Sequence, residues 1–129
     1  MNIKIFLPLL KKSAKKSFQL LRNRAPLTCS ALKCNVTVTK FFYGHIAHAS
    51  KRRRNIEDLI ERLLIIPFID EILLHGKLVE TRDKDEAVYF RITKSFVYNK
   101  YSVIVIKRGC YYHLLSCFID QAQQKEGPS

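Results

Sequence analysis

Three runs of alternating β-branched and aromatic residues crowd the C-terminal half of this chain, at 87–93, 101–107 and 110–118. Only Arg108-Gly109 separates the last two, which leaves room for a hairpin and nothing longer, so they pair as antiparallel neighbours. A two-residue turn there sets Lys107 against Cys110, and facing residue numbers sum to 217. That register puts Tyr101, Lys107, Tyr112 and Ser116 on one sheet face and Ile104, Ile106, Tyr111 and His113 on the other.

A sheet must bury one face against a second layer, and the helical signals lie upstream of it. Ile56, Leu59, Ile60, Leu63 and Leu64 recur at helical spacing after Asn55, a side chain suited to capping, and the pattern stops before Pro67. Residues 9–22 form a second helical pattern. Leu10, Ala14, Phe18 and Leu21 make an apolar stripe, while Lys11, Lys12, Lys15, Lys16 and Arg22 take much of the remaining surface. Such a helix packs on the core, lies along phosphates, or rests on a membrane surface. Between these signals, residues 35–42 alternate as a strand, residues 68–74 read as an apolar extended segment, and residues 77–86 as a polar turn. The expectation is an α+β fold with N-terminal basic helices on a C-terminal antiparallel sheet of about four strands. Residues 1–25 then form a basic helical arm, 26–119 a single domain and 120–129 a polar tail.

Charge points to a partner. Thirteen lysines and arginines precede the first acidic residue, Glu57, whereas the remainder holds ten basic and eleven acidic side chains, for a net charge of +12. A one-sided positive field attracts polyanions, nucleic acid first among them, although a solubilising surface or a membrane-surface arm has the same composition. No apolar run nears the roughly 18 residues that span a bilayer. The apolar opening meets Lys11-Lys12 without a small-residue cleavage site, which argues against a secretory signal. Cys29, Cys34, Cys110 and Cys117, with His113, allow a zinc site on paper. Their spacing lacks the tight pairs of structural zinc modules, so reduced thiols partly buried in the core are expected, with a Cys29–Cys34 loop as the alternative. P-loop, nucleophile-elbow and zinc-protease motifs are absent, and the acidic clusters at Asp70-Glu71 and Asp83-Asp85-Glu86 read as surface charge.

The order of elements, with Gly44-His45-Ile46, a helix ending near Pro67, Tyr89-Phe90-Arg91, the apolar run 103–106 and Ser116-Cys117-Phe118, resembles the barnase, EndoU, colicin and RelE-like (BECR) superfamily of small ribonucleases. It is most similar to the phage-associated and toxin-associated branch, and the similarity covers roughly residues 40–119. The chain departs from that branch in one respect: in place of a second histidine about five residues after the first, it offers His48 and the Lys51, Arg52, Arg53 and Arg54 run. The resemblance implies a metal-independent ribonuclease of toxin type that acts on RNA, with tRNA a candidate, in its own or a target cytoplasm. It also implies a cognate antitoxin or immunity protein, and neither metal nor cofactor. The alternative is a non-catalytic basic module that holds RNA or DNA and stacks bases on Phe41, Phe42, Tyr43 and the strand tyrosines.

Metal-free RNA cleavage uses the ribose 2′-hydroxyl as nucleophile, so it needs a base, an acid and cations near the phosphate. His45 and His48 are the candidates for proton transfer, Arg91 for bracing the phosphate, and Tyr112 or Ser116 for orienting a base or stabilising charge. Lys11, Lys12, Lys15, Lys16 and residues 51–54 are the candidate phosphate contacts. Each also has a structural reading: a locally bonded histidine, a solvated basic turn, an ion pair of Arg91 with an acid, a strand hydroxyl.

Overall fold

The computed structural model describes residues 3–47 and 56–120. The chain runs α1 (Ile3–Arg24), β1 (Leu27–Cys29), β2 (Cys34–Val36), α2 (Lys40–Ala47), α3 (Ile56–Ile65), a 3-10 turn (Ile66–Phe68), α4 (Ile69–His75), β3 (Lys77–Lys84), β4 (Ala87–Ser95), β5 (Lys100–Arg108) and β6 (Tyr111–Ile119). The fold is α+β, as expected. Four antiparallel strands meander in the order β3-β4-β5-β6, a small hairpin β1-β2 forms a second sheet packed on α4 and β6, and helices cover one face of the larger sheet. That face buries Ile92, Val103, Val105, Leu114 and Cys117 against Leu63 of α3 and Ile69, Ile72 and Leu73 of α4.

The apolar stripe of α1 is built into this core through Ala14, Phe18 and Leu21, so the helix is part of the domain wall and its lysines face outward. Phe18 stacks on Phe42 at 6.0 Å and meets Tyr43 in a tilted contact at 5.4 Å, and the Tyr43 hydroxyl donates to the Lys11 carbonyl at 2.9 Å. Burial raises the pKa of that phenol above its ordinary value. Among the described residues no helix is long and apolar enough to cross a membrane.

The local expectations fail in four places, each for a physical reason. Residues 68–74 are helical, not extended: Ile69, Ile72 and Leu73 are fully buried at helical spacing, and Pro67 is tolerated in the first turn of the 3-10 segment, where a missing N–H costs nothing. Residues 77–84 are a strand, not a turn. As the outer strand β3 is exposed along nearly its whole length, so it shows no apolar alternation, and its charges and a bulge between Leu78 and Glu80 protect the free edge. The turn itself is Asp85-Glu86, both at positive φ, joining Lys84 to Ala87.

Residues 35–42 change from strand to helix. Val36 and Val38 are buried in alternation with exposed Asn35 and Thr37, but Phe42 and Ile46 already follow helical spacing in α2. Finally, the β5–β6 turn is Gly109-Cys110, with Gly109 at φ 61°, so Arg108 pairs with Tyr111 and Lys107 with Tyr112. An irregularity between Ile104 and Val105 then sets Val105 opposite Leu114 but Ile104 opposite Ser116. This bulge leaves Leu115 as the extra residue and carries Ser116 to the sheet face opposite Tyr112.

Candidate active site

The uncovered sheet face and the neighbouring α2 enclose a cleft of about 380 Å³. Two histidines line it. His45 comes from α2, whose seating is fixed by Phe42 and Ile46 in the core and by Tyr43 against Phe18. His113 comes from β6, where strand alternation sends Leu114 into the core and leaves His113 beside its cross-strand partner Ile106. Arg108, at the end of β5, adds a guanidinium, while Thr39, Phe41 and Leu115 complete much of the wall. No carboxylate is among the described residues that line it.

Thr37 fastens His113 from outside the sheet. Its backbone N–H donates to the Tyr112 carbonyl at 2.8 Å and its carbonyl accepts from Leu114 N–H at 2.9 Å, a parallel bridge that covers this stretch of the β6 edge. Its Oγ1 lies 2.6 Å from His113 Nδ1 and donates to the Tyr112 carbonyl at 3.1 Å.

Leu115 also lines a second groove, of about 310 Å³, so the two recesses adjoin at this residue. Tyr89, Ile104 and Phe118 give this groove an apolar floor, and Glu80, Arg82, Lys84 and Arg91 surround it. Arg82 Nη2 lies 2.8 Å from Glu80 Oε2, and Arg91 Nε lies 3.8 Å from Glu80 Oε1 while making no hydrogen bond. One carboxylate thus faces three cations, and the groove stays net positive.

Of the residues singled out in the sequence, His45 lines the cleft and Arg91 the adjoining groove. Tyr112 does not join them. Its ring lies on the helix-covered face, 6.1 Å from Phe90, with Lys107 Nζ 5.5 Å from its centre. Ser116 is buried and its hydroxyl oxygen accepts from Arg62 Nη1 at 3.0 Å, which makes it a fastening point for α3. Lys12, Lys15 and Lys16 are exposed on α1, and Lys11 is partly buried. His48 and the Lys51, Arg52, Arg53 and Arg54 run lie outside the described residues, as does Asn55.

His113, Arg108 and Thr37 were not picked out for proton transfer or phosphate binding from the sequence. The signal for His113 was there: the alternation of Tyr112, His113 and Leu114 sends one imidazole away from the core. Its relation to Arg108 and to Thr37 needed the register and a contact across 76 residues. The cysteines do not converge. Cys29 and Cys34 face each other across the β1-β2 hairpin, Cys110 is exposed in its turn, and Cys117 Sγ donates to the Arg62 carbonyl at 3.5 Å. Among the described residues no three histidine, cysteine or acidic side chains group as metal ligands. Comparison with known protein families, with curated proteins and with solved structures finds no match.

Proposed function

We propose that the protein is a metal-independent endoribonuclease in which His45 and His113 transfer protons and Arg108 meets the charge that develops on the phosphate. The observation that carries this reading is the arrival of two imidazoles and a guanidinium, from three different elements, in one cleft without a carboxylate among the described residues that line it. One imidazole takes the 2′-hydroxyl proton as the oxygen attacks phosphorus. The bond to the 5′-oxygen then breaks, and the other imidazole, protonated beforehand, gives that oxygen its proton. The products are a 2′,3′-cyclic phosphate and a free 5′-hydroxyl. Arg108 stabilises the extra negative charge in passing.

The adjoining groove suits a neighbouring nucleotide, with a base over Tyr89 and Phe118 and its phosphate among Arg82, Lys84 and Arg91. Exposed lysines on α1 add long-range attraction for RNA. The resemblance to BECR ribonucleases of the toxin-associated branch supports the same reading, and with it action on cellular RNA, tRNA among the candidates, in a cytoplasm. A producing cell then needs an antitoxin or immunity protein.

The test incubates purified protein with total RNA in EDTA, beside DNA and a strand lacking the 2′-hydroxyl at the cleavage site. RNA alone should be cut. His45→Ala and His113→Ala should each lower the rate by about 100-fold to 10,000-fold with folding intact. Ser116→Ala and Tyr112→Phe should stay within a few-fold of wild type, since neither side chain lines the cleft. Equal cutting of DNA or dependence on magnesium would overturn the mechanism. Tight, salt-sensitive binding without products would favour the non-catalytic binding module.

A further inference from the structure

Thr37 owns one hydroxyl proton and has two neighbours that can accept it. His113 Nδ1 lies 2.6 Å from Oγ1 and the Tyr112 carbonyl oxygen 3.1 Å. The backbone bonds from Thr37 to Tyr112 and Leu114 hold the main chain of residue 37 against the peptides on either side of His113, and the rotamer it adopts sets Oγ1 against both neighbours at once. Two proton arrangements exist. If the hydroxyl gave its proton to Nδ1, two oxygens would face each other at 3.1 Å with no hydrogen between them, which is repulsive. If it gives the proton to the carbonyl, Nδ1 must carry its own hydrogen and donate to Oγ1, and every short contact then contains one proton.

We infer that Thr37 is a positioning residue that holds His113 as the Nδ1–H tautomer, so that Nε2 is the nitrogen that takes up and returns a proton. The chain Nδ1–H to Oγ1, then Oγ1–H to the Tyr112 carbonyl, persists in both protonation states of the ring, because only Nε2 changes. This runs against the preference of an unrestrained imidazole in water, where the Nε2–H form predominates. The bond made by one ring nitrogen decides what the other can do. The consequence for catalysis rests on the ribonuclease reading above, whereas the tautomer does not.

The experiment uses full-length protein labelled with nitrogen-15 in histidine. Long-range proton–nitrogen correlation spectra report which ring nitrogen of the neutral imidazole carries hydrogen, and His113→Gln identifies the signal by its loss. Wild type and Thr37→Ser should show Nδ1 protonated and Nε2 bare. Thr37→Val, nearly the same shape without the hydroxyl, should swap the two. In the cleavage assay Thr37→Val should lower kcat about tenfold with KM little changed, the loss of one ordinary hydrogen bond, and Thr37→Ser should restore it. An Nε2–H tautomer in wild type, or the same tautomer in Thr37→Val, overturns the inference. If the tautomer swaps as expected but no variant or wild type cuts RNA, the positioning role stands and the ribonuclease reading fails.

Discussion

Replacing Arg62 with alanine should loosen α3 from the edge strand β6, and the size of the effect can be worked from its contacts. The side chain is 16% exposed. Its Nε lies 2.8 Å from Asp58 Oδ2, its Nη1 donates to Ser116 Oγ at 3.0 Å and to the Cys117 carbonyl at 2.9 Å, and its guanidinium sits 5.8 Å from the Phe118 ring. The Asp58 pair, one helical turn apart and a third exposed on the acid side, contributes about 0.5 kcal/mol after solvent screening. The strand carbonyl loses a charged donor and costs about 1.5 kcal/mol. The serine, whose hydroxyl can turn elsewhere, costs about 0.5 kcal/mol. The ring contact adds about 0.5 kcal/mol.

Together the loss is about 3 kcal/mol, which for a chain of this length lowers Tm by roughly 10 °C. Thermal and urea unfolding followed by circular dichroism measure it directly. Arg62→Met, which keeps the apolar stem over Phe118 but not the hydrogen bonds, should lose about 2.5 kcal/mol. A loss below about 1 kcal/mol in Arg62→Ala would refute the reasoning and make this arginine a solvated surface group.

Gly76→Ala should cost about 1–3 kcal/mol in urea unfolding, because a Cβ there meets the Ile72 carbonyl and stands 2.8 Å from Ile92 Cγ2, although its φ of −76° suits any residue. Burial first, then the neighbouring Cys29, pushes the Cys34 thiol up to about 11, so at pH 8 only about one molecule in a thousand carries its thiolate. Iodoacetamide followed by peptide mass mapping should therefore label exposed Cys110 well before Cys34. Burial, with Asp58 and Glu57 adding to it, raises the Glu61 carboxyl above its usual value. The folded protein then holds that proton more readily than the unfolded chain, so stability falls as pH rises through this window. Glu61→Gln should raise Tm above it and change little below the ordinary carboxylate range.

The meander from β4 to β6, the apolar stripe of α1 and the helix after residue 55 were legible in the sequence. Each rests on local periodicity, and a repeat of two or of nearly four says which side chains share a face whatever they pack against. His45 was legible too, as a histidine beside a glycine in a basic stretch.

Tertiary structure decided the remainder, because the deciding forces act between elements remote in sequence. The run 68–74 has an apolar content that suits strand or helix alike, and its packing against β4 and β5 on one side and the β1 strand on the other selects the helix. The outer strand β3 owes its conformation to hydrogen bonds from β4, which leave no mark on its own residues. One bulged residue, Leu115, separates Ser116 from Tyr112 and lines both grooves, and no local rule places a bulge there. The partnership of His45, Arg108 and His113 likewise exists only because α2 is locked to α1 by aromatic packing while the β5–β6 register sets the other two. Composition supplied the positive charge and the imidazoles; the chain's distant contacts chose which of them meet.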